Sequence, residues 1–226
     1  MISTLREPLP VGYIGAYQDA NGVYREDNQG SDILVIAQIL YVFGLLGEED
    51  FTLDHLNQLL GRNYGDPHSG HAVTLLYEAG IRCHNITTIT WEDVERWVNS
   101  YQAWLEDARK YDPNVQNNRP TRRTYARVRR TLVLGIEYRE RYGHLVSTEN
   151  REPSIEDVDR LLADGWYVVI PVDGTATTVI NGLIYGKDGD SYLVYHPVGA
   201  LIRRTAAELL AVDGEFESIE AWKLPS

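Results

Sequence analysis

Residues 153–199 read PSIEDVDRLLADGWYVVIPVDGTATTVINGLIYGKDGDSYLVYHPVG, and in them helix, strand and turn signals follow one another without ambiguity. Ser154 stands where a helix cap is needed, Glu156 and Asp157 occupy the first turn, and Val158, Leu161 and Leu162 form the inner face. Gly165 ends that helix. The run Trp166 to Val172 is β-branched and aromatic, too apolar for an exposed edge, and predicts a buried strand that stops at Pro171. Val179 to Tyr185 and Ser191 to Tyr195 flank Lys187-Asp188-Gly189-Asp190, a hairpin turn with glycine where a positive φ is wanted. The unit that organises the chain is therefore helix, strand and two-stranded antiparallel hairpin.

Working outward, 226 residues with 43% hydrophobic content suit a single domain, residues 1–226, large enough to bury a core without staples. One cysteine, Cys83, excludes a disulfide framework within the chain, and its place in IRCHNIT predicts an inert buried thiol, with a reactive or metal-binding role beside His84 as the alternative. The start MISTLREPLP lacks the apolar core of a signal peptide. The longest apolar run, Ile33 to Leu46, is too short to cross a bilayer, so the expectation is a cytoplasmic protein without a membrane partner.

Before that run, Asp27-Asn28-Gln29-Gly30-Ser31-Asp32 breaks the chain, and ILVIAQILYVFGLLG then reads as a helix apolar almost all round, which belongs in the middle of the protein. Ser31 or Asp32 is its natural N-cap. Upstream, Val11 to Tyr17 is a candidate edge strand. Thr52 and His55 open a second helix with Leu53, Leu56, Leu59 and Leu60, Ala72 to Ala79 a third, and Ile81 to Ile86 predicts a strand at the sheet edge. His68 and His71 have no third ligand near in sequence, so no metal and no cofactor is expected.

Thr90 caps a predicted helix from Trp91 to Tyr111 striped with Val94, Trp97, Tyr101, Trp104 and Leu105, and Arg122 to Tyr142 predicts another with Tyr125, Val128, Leu132 and Ile136 inward. Together they predict an αα-hairpin inserted at about 90–150, its aromatic stripe serving as core. Leu201 to Val212 predicts a last helix, and Ile219 to Leu224 one more strand.

The formal charge of −12 disfavours general binding to nucleic acid or anionic lipid. It is unevenly spread: eight arginines against Glu137 and Glu140 give 119–141 a local charge of +6, leaving −18 elsewhere. Arg123, Arg127 and Arg130 share one helix face. That face either pairs with acidic residues of this chain or of a second copy in a homodimer, or receives phosphate, RNA or an acidic peptide.

A buried helix with a polar N-cap, then helices, a strand, a helix ending in glycine and an antiparallel hairpin ending before Pro197 resembles the papain-like cysteine peptidase fold, and more closely the bacteriocin-processing, double-glycine leader peptidases of bacteria. The resemblance spans about Gln29 to Leu60 and Ser154 to Gly199. It implies an α+β fold with a central buried helix packed on a small antiparallel sheet, carrying the helical hairpin as an insertion.

In that family a catalytic cysteine caps the central helix, a catalytic histidine opens the first hairpin strand, and an Asp-Pro pair ends the second. Here Ser31 falls in the cysteine position with Asp32 where glycine follows, Asn181 (or Ile180 or Thr178) in the histidine position, and His196 where the orienting Asp or Asn belongs. The oxyanion glutamine has no counterpart, Gln18 being too far upstream of the nucleophile position and Gln29 too near.

A serine hydroxyl gains far less than a thiol from a helix dipole and needs a base within hydrogen-bond reach. The resemblance therefore implies a pseudo-peptidase that binds a peptide or protein partner in the former active-site cleft, through Gln29, Ser31, Asp32, Asn181 and His196, with Arg123, Arg127 and Arg130 meeting acidic residues. Two alternatives stay open. One is a hydrolase or acyltransferase using Ser31 with His196; the other is phosphate or RNA binding through the Arg119 to Arg141 helix.

Overall fold

A computed structural model describes residues 5–11, 17–18, 24–25, 30–52, 70–111, 122–175, 178–197, 200–212 and 218–225. All of the predicted Thr52 to Leu60 helix after Thr52 lies outside these residues, as do His68, the side chain of His71 and most of the predicted Val11 to Tyr17 strand. In chain order the elements are β1 (Tyr17–Gln18), β2 (Tyr24–Arg25), α1 (Gly30–Val42), α2 (Gly70–Glu78), β3 (Arg82–Thr87), α3 (Trp91–Asn99), α4 (Tyr101–Tyr111) and α5 (Arg122–Tyr142). They continue with β4 (Val146–Asn150), α6 (Ile155–Ala163), β5 (Tyr167–Thr175), β6 (Thr178–Asp188), β7 (Ser191–His196), β8 (Ala200–Thr205), α7 (Ala206–Leu210) and β9 (Ser218–Lys223).

The fold is α+β, built on a mixed seven-stranded sheet in the order β4-β3-β9-β5-β6-β7-β8. Only β3 and β4 run parallel. Period-two alternation gives the sheet two apolar faces, and each is covered by helices. Cys83, Tyr167, Leu183, Tyr185, Tyr195 and Trp222 pack with the buried residues of α1 and α2. Ile86, Val168, Ile170, Ile184, Tyr192, Val194 and Ile219 pack on the other face with Val158, Leu161 and Leu162 of α6 and Leu209 of α7. The organising unit is thus α6 laid on β5, β6 and β7.

The glycines after three helices do the same physical job. Gly44, Gly80 and Gly165 have φ of 75°, 74° and 81°, and in each case the next residue's amide bonds back into the last turn, as Trp166 does to the Leu161 carbonyl at 2.9 Å. Gly44 therefore stops α1 at Val42, short of the predicted Leu46.

Several expectations are corrected. The predicted Trp91 to Tyr111 helix breaks at Ser100, which is extended (φ −143°, ψ 112°), and the Ser100 hydroxyl accepts from the Ala103 amide at 3.2 Å, so it caps a new helix. The predicted two-helix insertion is then a three-helix crossover, α3 to α5, and it joins the parallel pair β3 and β4, which no tight turn can connect. The strand predicted at the sheet edge, β3, lies inside it between β4 and β9.

Likewise β5 does not stop at Pro171. It continues to Thr175 through a register shift between Pro171 and Asp173, and β9 accompanies it only from Tyr167 to Val169. The first half of the predicted Leu201 to Val212 helix is strand β8, paired with β7, and α7 begins only where Thr205 and Glu208 form a reciprocal capping box at 2.7 and 3.3 Å.

Residues 5–11 form an extended strap between α1 and the sheet. The Arg6 guanidinium donates to the Tyr41 carbonyl at 3.0 Å, and the Leu5 amide donates to that of Tyr185 at 3.3 Å. Further along, the fully buried Gln38 holds Leu9 through both main-chain groups, each at 2.8 Å, and the Tyr195 hydroxyl donates to the Val11 carbonyl at 2.8 Å. The strap therefore runs antiparallel to α1. Among the described residues no helix is long and apolar enough to cross a membrane.

Candidate functional site

The strap's contacts orient α1 over the sheet. Its C-terminal end, at Tyr41, lies by Tyr185 late in β6, and its N-terminal half points toward Tyr195 at the end of β7, which pairs with Leu183 early in β6. The start of the buried helix and the start of the hairpin thus share one end of the fold, on one face of the sheet.

Ser31 and Asp32 belong to the first turn of α1, but their side chains, and Gln29 entirely, lie outside the described residues. Asn181 is in β6, opposite Pro171 of β5, and shares the parity of Leu183, hence the α1 face. His196 ends β7, 5% exposed, and has the parity of Tyr192 and Val194, whose side chains pack against α6 and α7. By register, then, Asn181 and His196 belong to opposite faces of the sheet. A base on the α6 face is badly placed to serve a hydroxyl at the start of α1.

The backbone at Asn181 is tightly held. Gly182 is buried, and a Cβ there would come within 2.7 Å of both Val172 methyls and 2.8 Å of the Tyr195 carbonyl oxygen. Glycine lets β6 close against its neighbours at that point. The close approach fixes where the Asn181 side chain emerges.

Cys83 lies elsewhere, in β3, 1% exposed and 3.5 Å from the Asn85 side-chain oxygen. Burial pushes its thiol well above the usual range, and the Glu220 carboxylate adds to the effect. A thiol held protonated is a poor nucleophile, so the inert reading of Cys83 stands. Among the described residues no group of His, Cys, Asp and Glu is arranged to hold a metal ion.

The arginine helix, α5, is engaged with its own chain. Arg129 Nε donates to the Val98 carbonyl at 2.7 Å and the Tyr125 hydroxyl to that of Trp97 at 2.7 Å, so both close the C-terminus of α3. Arg139 pairs with Glu95 and Arg141 with Glu78, each at 3.7 Å. Arg130 is exposed, while the side chains of Arg123 and Arg127 lie outside the described residues. This is the pattern of a solvated helix face pairing with acidic neighbours.

Two features were not read from the sequence as part of a site. Gln38 is the one amide in the apolar run 33–46, and that isolation was the available signal for a buried partner. The other is a cleft between α3 and the sheet. There Glu220 faces Asn85 across the β3–β9 pair and lies in register, through Val169, with Leu183. Of its two tryptophans, Trp97 belongs to the stripe assigned to core, and Glu220 is hidden in an apolar strand.

No protein-family model matches the chain, and no curated protein matches it.

Proposed function

We propose that this chain is a non-catalytic, papain-like relative of the leader peptidases, which binds an extended peptide or a protein partner along the α1 face of β6 without cutting it. The observation that carries the reading is the placement of α1. A buried helix starts, with Ser31 in its first turn, at the end of the sheet where Asn181 emerges on the same face. This supplies the framework of a peptidase cleft, while the position that an imidazole would need is held by an amide. His196, by parity on the opposite face, speaks against the Ser31 with His196 hydrolase.

The test uses a fluorescein-labelled extended peptide with two consecutive glycines. Its anisotropy is expected to rise saturably with protein and to lose that rise in Asn181→Arg, while mass spectrometry finds the peptide intact. No rise at millimolar protein sinks the binding reading. Cleavage, or covalent fluorophosphonate labelling that disappears in Ser31→Ala, replaces it with the hydrolase.

A further inference from the structure

On the α6 face of the sheet, opposite the α1 groove, an exposed serine, a buried histidine and a carboxylate follow one another. Ser147 of β4 and His84 of β3 are partners across the parallel pair, and Glu149 lies two residues along on the same face. His84 shares the parity of Ile86, which packs with α6, and that sets the face. Ser147 Oγ is 2.7 Å from His84 Nδ1, and Glu149 Oε1 is 3.3 Å from His84 Nε2. Ser147 is exposed and His84 is 9% exposed, so a hydroxyl that faces solvent is backed by a base fixed in the fold.

The roles follow from where the protons sit. Glu149 beside Nε2 favours the tautomer that carries its proton there, which leaves Nδ1 to accept from the Ser147 hydroxyl. Nε2 makes no hydrogen bond among the described residues, so Glu149 acts through its charge, and its own oxygens are held by Arg151 at 2.9 Å and Arg160 at 3.2 Å. The Trp166 ring packs on the imidazole, 5.9 Å between centroids, and Arg82 and Lys223 each stand 5.7 Å from the centre of that ring. Burial lowers the His84 pKa against the pull of Glu149 and Asp157, and Arg160 adds to the fall. The imidazole is therefore neutral at pH 7 and able to take a proton.

A donor for the developing oxyanion is positioned beside them. Among the described residues β4 is the outermost strand, and the Arg151 N–H on the Thr87 carbonyl at 3.1 Å shows which of its amides face β3. By alternation the Thr148 N–H, directly after Ser147, faces the outer edge. A carbonyl oxygen can accept it there while the carbonyl carbon meets Ser147 Oγ. One donor in place of two costs about 10²- to 10³-fold, which an ester tolerates and a peptide amide does not.

We propose that Ser147 is the nucleophile of an esterase site, with His84 as its general base and Glu149 as a positioning residue. Ser147 Oγ bonds to the acyl carbon as its proton passes to His84 Nδ1, and the ester C–O bond breaks as that proton goes to the departing alcohol oxygen. Water then adds to the acyl carbon through the same base, releasing the carboxylic acid and restoring the hydroxyl. The proposal goes beyond the binding reading. It uses no residue of the α1 face and leaves that groove without a nucleophile.

The experiment treats the full chain with a fluorophosphonate probe and, separately, with p-nitrophenyl acetate. One equivalent of probe is expected on the peptide that contains Ser147, and ester hydrolysis above the buffer rate is expected to fall at least about 100-fold in Ser147→Ala and in His84→Gln. Because Ser147 is exposed, an unchanged thermal midpoint is expected for its alanine variant, and the test does not depend on the buried histidine tolerating replacement. Labelling of the parent is expected to rise with pH through a midpoint below the ordinary imidazole value near 6.5. Glu149→Gln is expected to move that midpoint lower still, a shift that a merely structural carboxylate would not produce. An unlabelled Ser147, labelling confined to Ser31, hydrolysis that survives Ser147→Ala, or labelling at the parent's rate in a folded His84→Gln overturns the proposal.

Discussion

Replacing Gln38 by methionine tests how the strap is joined to the core. Gln38 is fully buried, and its side-chain amide accepts from the Leu9 N–H and donates to the Leu9 carbonyl, both at 2.8 Å. Methionine keeps the length and loses both bonds. Two main-chain groups in a half-buried segment then lack partners, at about 1 to 2 kcal/mol each, against which the apolar thioether recovers roughly 1 kcal/mol. The net cost is about 1 to 3 kcal/mol. With a urea dependence near 2 to 3 kcal/mol per molar, the midpoint falls by roughly 0.3 to 1.5 M.

Hydrogen exchange locates the loss. The Leu9 amide, protected in the parent, is expected to exchange as an open amide in Gln38→Met, while the amides of β6 keep their protection. Gln38→Glu at neutral pH is expected to cost more, since it removes the donor and buries a charge. An unchanged midpoint together with a protected Leu9 amide would refute the reasoning, because the strap would then be held by something other than Gln38.

Two further outcomes follow from side chains that meet crowded or charged surroundings. Asp157 accepts from Arg151 at 2.7 and 2.5 Å, from Arg160 at 3.0 Å and from the Ser154 amide at 2.9 Å, which holds its carboxyl well below the usual carboxylate range. Its contribution to stability is therefore complete above the unfolded-state value near 4 and is lost as pH falls below it, so the parent's thermal midpoint is expected to drop between about pH 5 and pH 2 more steeply than that of Asp157→Asn. At pH 7 the substitution itself is expected to cost roughly 1 to 3 kcal/mol by urea unfolding, because the arginines, 42% and 46% exposed, return to water. Gly182→Ala places a methyl against the Val172 methyls and the Tyr195 carbonyl, at an expected cost of about 1 to 3 kcal/mol. Adding Val172→Ala to it is expected to restore only part of that stability, since the carbonyl cannot move away; full restoration would show that the main-chain contact is not limiting.

The parts of this molecule that were legible in its sequence are those whose signals are local. The cap at Ser154, the glycine stop at Gly165, the turn at Gly189 and the 21-residue α5 each depend on neighbours within one or two turns of chain, and each stands where those residues put it. The apolar run 33–46 had to be buried, and from Leu34 to Val42 it is. What failed were judgements about position in a sheet. The polar strand β4 carries no strong pattern of its own, and β3 was expected at an edge because nothing local shows that β4 and β9 will flank it.

The same division runs through the candidate site. Composition alone determined that no thiol stands near the start of α1, and it was the resemblance, rather than spacing, that pointed to Ser31, Asn181 and His196. Only the tertiary structure decided that Asn181 and His196 belong to opposite faces of the sheet, because that depends on the register between β6 and β7, which reaches Leu183 paired with Tyr195 through a shift between Ile184 and Gly186 and whose parity is set by packing against α1 on one side and α6 on the other. It alone likewise brought Glu220 within one cleft of Trp91 and Trp97, more than a hundred residues away in the chain, since a parallel pair of strands requires the long crossover that carries those rings.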